Sequence, residues 1–534
     1  MPRIDTEYKR HLEATIKGMD TEYEYIKSFF KELSQYIIPR RYQSLDEGKV
    51  FQSKARNKYI LDGFATRAVN TLSSGMLFGA TNPTHRWVKL SLDTQNVRAQ
   101  QWVDHVVETT LATIRRSNAY TSLPVMYKDL GVFGTSAMLI YDDPKSIIRT
   151  YTVPAGEYRL MRNEREEIAF FCRKYKMTAQ QLVARFGANN VSHSVRQQVS
   201  VNTNDRFQEY DVYHLIEPNN PPLLPQHFAY RECFWELGGE QDMILAINGY
   251  YEKPFVAPRW EVLGNTVFGN SPGMEALPDI IGLQALTKQK AIGLAKLVNP
   301  PVVADQALKN QPTALMAGGI TYASNIDGIG VKPVFQVNLP VSELREDVVG
   351  YYEAIGQFFF TDLFRAILDL STVRSATEVQ AATAEKLVLL GPVVNRTEDE
   401  ALNDFVRRVI GIQSRRGMIQ NPPPEAGGRI RLEYDSILSG AQKAAGINNI
   451  ERFLGSVGQI APVSPETLDV VNFNEAIREY GDRLNVPARI MRTRAEVQQI
   501  AQQRAEIAEQ QREAEVGATL AGATADLAQA GAVQ

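Results

Sequence analysis

The chain has 534 residues, 44% hydrophobic and 22% charged, with 58 Lys and Arg set against 61 Asp and Glu for a formal net charge of -3. Such a length holds roughly three or four domains of ordinary size. The composition excludes global disorder, and the charge balance excludes a surface that grips nucleic acid throughout, leaving only local contacts. Two cysteines, Cys172 and Cys233, are too few for a disulfide framework and read as buried thiols in a reducing compartment. The N-terminus leads straight into charged residues, with no apolar core of a signal peptide. No run of about 18 apolar residues predicts a membrane span, and Phe358-Phe359-Phe360 reads as buried packing.

Residues 6–38 are predicted helical and end at Pro39. A second helix is expected over 57–78, where Leu61, Phe64, Ala65, Ala68, Leu72 and Met76 recur at helical spacing before the breaker Gly79-Ala80-Thr81-Asn82-Pro83. Residues 87–92 alternate like a strand, 97–117 form an amphipathic helix, and a further helix from 122 runs into the apolar stretch 131–141. From 147 to 260 the texture changes to short β-type runs (168–175, 209–217, 228–235 and 243–250) around one helical segment at 177–186.

Two long helical patterns follow, separated by a Gly/Pro-rich insert. The first, 274–298, carries Leu277, Ile280, Ile281, Ala285, Ile292 and Leu297 and stops at Asn299-Pro300-Pro301. The second starts near Ser342, a good N-cap type, and repeats Val348, Tyr352, Ile355, Phe359 and Leu363. At 1.5 Å per residue each would be roughly 35–40 Å long, which suggests an elongated, assembled object. After a polar loop, the capping box Ser375-Ala376-Thr377-Glu378 opens a third helix that Gly391-Pro392 should kink or split before it runs on to 417. Ile430, Leu432 and Tyr434 alternate like a strand. Residues 493–516 form a thinly apolar helix suited to packing against copies of itself, and 517–534 is an Ala/Gly-rich tail expected to be mobile.

No catalytic chemistry is visible. There is no G-x-x-x-x-G-K-[ST] phosphate loop, and Gly131 and Gly134 read as a tight turn. The six histidines are scattered without metal-ligand spacing, so no metal or cofactor is expected. Glu398-Asp399-Glu400 reads as a solvated acidic first turn of a helix, and Arg415-Arg416 as complement to a helix C-terminus. A hydrolase built on Asp142 and Asp143 lacks any supporting constellation.

The order of parts resembles the portal, or head-to-tail connector, proteins of short-tailed tailed bacteriophages. The resemblance is carried by Arg86-Trp87-Val88-Lys89-Leu90, the 131–141 run, Gly269-Asn270-Ser271-Pro272-Gly273-Met274, Leu297-Val298-Asn299-Pro300 and Ala376-Thr377-Glu378-Val379, and extends from about Lys9 to about Leu484. It implies an α+β, predominantly helical portal fold with wing, stem, clip and crown, assembled as a ring, typically a dodecamer, around a channel. On that reading 1–271 is the wing with an α+β subdomain at about 147–260, 272–304 the first stem helix, 305–339 the clip and 340–369 the second stem helix. The tunnel loop is then 370–376, the kinked helix and return to the wing 377–437, the crown 438–491, and the C-terminal helix and tail 492–534.

The resemblance further implies a non-enzymatic conduit for double-stranded DNA at one capsid vertex of the virion, assembled in the host cytoplasm. Its partners would be the terminase large subunit, tail adaptor or tube proteins, and capsid and scaffolding proteins, with no membrane. Lys288, Lys290 and Lys296 near the end of the first stem helix complement its dipole and equally form a candidate ring of lysines near DNA phosphates. Ser371, Thr372, Val373 and Arg374 make the tunnel loop, with Arg374 a candidate DNA contact, and Lys309, Asn310, Asn325, Asp327 and Lys332 are clip candidates for terminase or tail adaptor. A different multimeric head–tail ring or scaffold without a motor partner is the alternative.

Overall fold

The computed structural model describes residues 6–42, 58–92, 96–200, 204–237, 244–298, 302–304, 331–333, 340–369, 389–426, 430–434, 447–460 and short stretches between 471 and 511. The chain divides into two compact units, Met1–Ser439 and Gly440–Gln534. Among the described residues the second unit contributes the helix Ile447–Ile460. The first unit is mixed α+β and mostly helical. In chain order it begins with α1 (Thr6–Tyr36), α2 (Phe64–Ala80), β1 (Val88–Ser91), α3 (Val97–Arg116), α4 (Ala119–Phe133), β2 (Ala137–Asp143) and β3 (Ile147–Val153). Then come β4 (Tyr158–Arg162), β5 (Ile168–Thr178), α5 (Ala179–Phe186), α6 (His193–Ser200), β6 (Glu209–Pro218), β7 (Tyr230–Glu236), β8 (Ile244–Tyr250) and β9 (Phe255–Val256).

The α+β subdomain is an antiparallel five-stranded sheet in the order β4-β5-β6-β7-β8. Strand side chains alternate between faces, and both faces are covered. Cys172, Leu215 and Cys233 point to one side, where Tyr8, Leu12, Ile16 and Met19 of α1 pack at helical spacing. Met177, Val212, Phe234 and Leu245 point to the other, under Leu182 of α5 and Val195 of α6. Both thiols are free and buried, and burial pushes Cys172 up to about 12. Helix α5 begins at Ala179 rather than 177 because β5 continues to Thr178, whose hydroxyl accepts the Gln181 amide in a capping box.

A second, three-stranded sheet, β3-β2-β9, lies beside α4. Gly131 belongs to α4, not to a turn, and packs on Leu72 of α2. Gly134 ends α4 in the left-handed region at φ 69. A Cβ on Gly134 would lie 2.0 Å from the Gly269 carbonyl oxygen, so two backbones meet where only glycine fits. Helix α2 starts at Phe64, later than expected, because Asp62 accepts the Phe64 amide at 2.7 Å and Gly63 takes the N-cap position.

Downstream come α7 (Pro272–Glu275), α8 (Leu277–Val298), β10 (Val302–Ala304), β11 (Val331–Pro333), α9 (Val341–Phe358) and α10 (Thr361–Asp369). The first long pattern is thus two helices: Pro278 has no amide to give the preceding turn, so the helix restarts at Leu277. The second is also broken, at Phe359-Phe360, and begins at Val341 after Pro340 rather than at a Ser342 cap. Phe360 sits at φ 52, a conformation that disfavours a bulky residue. Tertiary packing imposes it: Phe359 and Phe364 are fully buried, and the Phe364 ring occupies the space a Cβ on Gly75 of α2 would take.

Beyond the break, residues 389–397 are helical straight through Pro392. The irregularity falls instead at Glu398–Leu402, a π-type turn in which the Asn403 amide reaches the Glu398 carbonyl, and the helix continues as Asn403–Arg415. The acidic run is therefore inside a helix rather than a solvated first turn. Glu400 accepts the Arg259 amide at 2.8 Å and its guanidinium at 2.7 Å. The strands expected from the alternation at both places are present, and strand β12 (Arg431–Tyr434) pairs antiparallel with β1, Val88 opposite Tyr434.

Helix Asn403–Arg415 docks through a carboxylate. Arg408 donates to Glu252 at 2.7 Å, Arg415 pairs with the same group, and Gly411 lies between them because a Cβ there would meet the Glu252 Oε1 at 2.2 Å. Burial alone would raise the Glu252 carboxyl, but Arg415 and Arg408 outweigh it and hold the group below its ordinary 4.5. Its contribution to stability is present above that value and is lost as pH falls through the folded-state value.

Two outcomes follow. Gly134→Ala should lower stability by about 3 kcal/mol or more in urea denaturation, because strain and collision add; a change under about 0.5 kcal/mol would show that the two backbones separate freely. Glu252→Gln should cost about 2 kcal/mol at pH 7, with the gap to the parent closing as pH drops below the carboxylate range. A gap that does not vary with pH would remove the arginines as its source.

Candidate functional site

Helix α8 carries the chain outward and α9 brings it back, with the antiparallel pair β10–β11 between them. The two helices cross closely at Gly282, where a Cβ would lie 2.8 Å from the Tyr351 hydroxyl. The root of this hairpin is a polar clamp on residues 61–64. The Gln284 Oε1 accepts the amides of Leu61 at 2.7 Å and Asp62 at 2.9 Å, and its Nε2 donates to the Asp62 carbonyl at 2.9 Å. From the other helix, the Tyr352 hydroxyl donates to the Asp62 carboxylate at 2.5 Å, and its ring stacks on Phe64 with centroids 4.4 Å apart. That hydrogen bond to Asp62 is the main reason the Tyr352 phenol is pushed up.

Burial is confined to this root. On α8 the buried residues are Leu277, Ile280, Leu283 and Gln284, and on α9 Ile355 and Gly356. Further out, Ile292, Leu297, Val298, Val341 and Val349 are exposed. Lys288 and Lys296 are exposed and Lys290 is half-buried, and none has an ion pair among the described residues. At ~100° per residue, Lys288 and Lys296 lie within ~80° of each other, whereas Lys290 points ~160° away from Lys288. The helix brings two of the three lysines to one side and sets the third on the other.

Of the clip candidates, Lys332 lies in β11 opposite Val303. Lys309, Asn310, Asn325 and Asp327 lie outside the described residues, as do Ser371, Thr372, Val373 and Arg374. Sequence reasoning missed Gln284, Asp62, Tyr352 and Gly282. Asp62-Gly63 before an apolar run was a readable cap signal, but nothing local marks a glutamine in an apolar helix as a clamp on residues more than 200 positions earlier.

The carboxylates weighed for hydrolysis have structural work. Asp142 pairs with Arg416. Asp143 accepts the Ser146 amide at 2.7 Å and its hydroxyl at 2.8 Å, and the Ser146 bonds hold it below its ordinary range. The buried His214–Glu232 pair, 2.5 Å apart, is enclosed by Phe171 and Phe234. Among the described residues no group of His, Cys, Asp and Glu could hold a metal ion, and no helix is long and apolar enough to cross a membrane.

Comparison with known proteins places this architecture. Residues 9–491 match the family model described as bacteriophage head to tail connecting protein. The chain is 36% identical over 519 residues to the portal protein of Salmonella phage epsilon15, covering 95% of this chain and 92% of that one. It is 31% identical over 511 residues to the probable portal protein of Bordetella phage BPP-1, covering 91% of each. Two solved structures align at TM-scores of 0.36 and 0.38 with 10% and 11% identity: the virion of a native gene transfer agent particle, covering 75% of this chain and 89% of that chain, and the neck of an empty particle of the same kind, covering 76% and 88%. The chain belongs to the bacteriophage portal, or head-to-tail connecting, protein family, whose members are structural, non-enzymatic components of the virion at the head–tail junction.

Proposed function

We propose that copies of this chain form a ring, of about twelve, around a channel through which double-stranded DNA is packaged and later ejected, with the α8–α9 hairpin as its stem. The observation that carries this reading is the hairpin itself: clamped at one end and with no buried residue along the rest of its two described helices, with apolar Ile292, Leu297, Val298, Val341 and Val349 exposed in the single chain. Exposed apolar positions on two protruding helices call for covering by neighbours, and side-by-side copies around an axis supply it. The segment 305–339, which lies between α8 and α9 in the sequence, is the docking element for terminase and then tail adaptor. The loop 370–376 follows α10 and approaches the DNA.

Electrostatics supports a conduit rather than a clamp. Each phosphate neutralised adds affinity and salt dependence, so a near-neutral subunit with sparse lysines lets DNA slide. Lys288 and Lys296 are the channel pair from α8. Lys290, on the opposite side of the helix, serves a neighbouring copy better than the same wall.

Native mass spectrometry with particle imaging tests the ring. Twelve copies of the 59.8 kDa chain should give roughly 0.7 MDa and an open axial channel, and a stable monomer or closed dimer would remove the channel. Replacing Lys288, Lys296 and Arg374 with alanine should alter packaging or genome retention, whereas Lys290→Ala alone should not; no effect of the triple variant would sink the contact assignment. Purified terminase should bind the intact ring and lose binding when 305–339 is altered. Retained binding would favour a head–tail ring without a motor partner at that segment.

A further inference from the structure

The five-stranded sheet carries a feature that the ring, its stem and its channel do not use. Where α5 leaves the end of β5, an open groove of about 530 Å³ is lined by Arg173, Tyr175, Lys176, Met177, Gln181, Ala184 and Arg185. Three of these are cations, and their partners differ. Arg173 donates to the buried Glu157 at 2.9 Å and to the Tyr151 hydroxyl at 3.1 Å. Lys176 stands 4.0 Å from Asp211. Arg185 has no carboxylate partner among the described residues: its guanidinium lies 4.6 Å over the Phe234 ring and 5.3 Å over Phe186, and donates to the Tyr175 hydroxyl at 3.4 Å.

We propose that this groove is a binding site for a peptide of another protein that presents a single carboxylate beside an apolar side chain, with Arg185 as the bidentate donor and Met177 and Ala184 as the apolar wall. Three observations select that ligand. Glu157 and Asp211 pair with Arg173 and Lys176, so Arg185 is the cation of the groove lining that has no carboxylate partner among the described residues. A polyphosphate gains affinity with each phosphate neutralised and finds little here. The aromatic faces that could stack on bases are already taken: Arg173 lies 4.2 Å over Tyr175, and Arg185 covers Phe234. The guanidinium of an arginine already seated over an aromatic ring can take one carboxylate with little further loss of freedom. Burial raises the Tyr175 phenol, which therefore stays protonated beside it.

The test uses the intact protein and fluorescence anisotropy with two N-terminally labelled, C-terminally amidated probes, Gly-Leu-Glu-Leu-Gly and Gly-Leu-Gln-Leu-Gly, which differ only in the side-chain carboxylate. The carboxylate probe should bind at least fivefold more tightly than its amide counterpart, and Arg185→Ala should abolish that preference. Arg185→Lys, which keeps the charge and the aliphatic stem but not the fork, should retain only part of it, and serves if the alanine variant folds poorly. Equal binding of the two probes by the parent, or an undiminished preference in Arg185→Ala, overturns the site. Displacement of the probe by a 24-base-pair DNA duplex whose own affinity falls in Arg185→Ala would make the groove a nucleic-acid contact instead. Loss of the assembled mass in Arg185→Ala would make it a surface between copies, and either outcome defeats the peptide reading.

Discussion

A single glutamine sets the direction of the hairpin that defines this molecule. Gln284 is 5% exposed, and its side chain makes three hydrogen bonds to the backbone of residues 61 and 62. A buried amide so satisfied is cheap to keep and expensive to disrupt, because its loss strands two backbone donors and an acceptor. Besides Gln284, the buried residues of α8 are Leu277, Ile280 and Leu283. The hairpin is thus a lever with a short root: its far half contributes little to the stability of the subunit, so its surface is available to be shaped by neighbours and cargo.

Several of the chain's charges face one another in internal ion pairs. Arg41 grips the fully buried Asp129 through two nitrogens, Arg231 holds Glu217 in the sheet, Arg259 reaches Glu400 in the π-type turn, and Arg408 shares Glu252 with Arg415. Each joins segments far apart in sequence, except Arg231 and Glu217 on neighbouring strands. Such pairs add less to net stability than their Coulomb energy suggests, since desolvation opposes it. What they supply is a defined arrangement of elements. The lysines of α8 stand apart from this network, which is why a functional reading fits them better than it fits any buried arginine.

Elements defined by their own period were legible from the amino-acid order. The alternation of Trp87 to Leu92 and of Ile430, Leu432 and Tyr434 marked two strands, and the run from Thr6 marked a helix, because in each the apolar residues that make the core also set the local pattern. The misreadings share a cause. Val348 through Leu363 keeps helical spacing across Phe359 and Phe360, yet the helix breaks there because Phe364 fits the space above Gly75, a partner nearly 300 positions away. Glu398 to Glu400 resembled a first turn because nothing local revealed Arg259. The clamp at Gln284 was invisible for the same reason. Local order announces which face is apolar; it does not announce which distant backbone a polar side chain will meet.

The pairing of β1 with β12 has a consequence for how the molecule is made. Val88 to Ser91 finds its partner in Arg431 to Tyr434, so the unit ending at Ser439 cannot be closed until the ribosome has passed that point. At roughly 5–20 residues per second, the earlier strand waits on the order of 20–70 s with its edge unpaired. Loop closure over such a separation is also slow. An unpaired strand left open for that long invites pairing with the wrong chain. The stacking of Trp87 on Tyr434, with centroids 6.3 Å apart, therefore forms only after residue 434 has been made, and it joins segments far apart in the sequence.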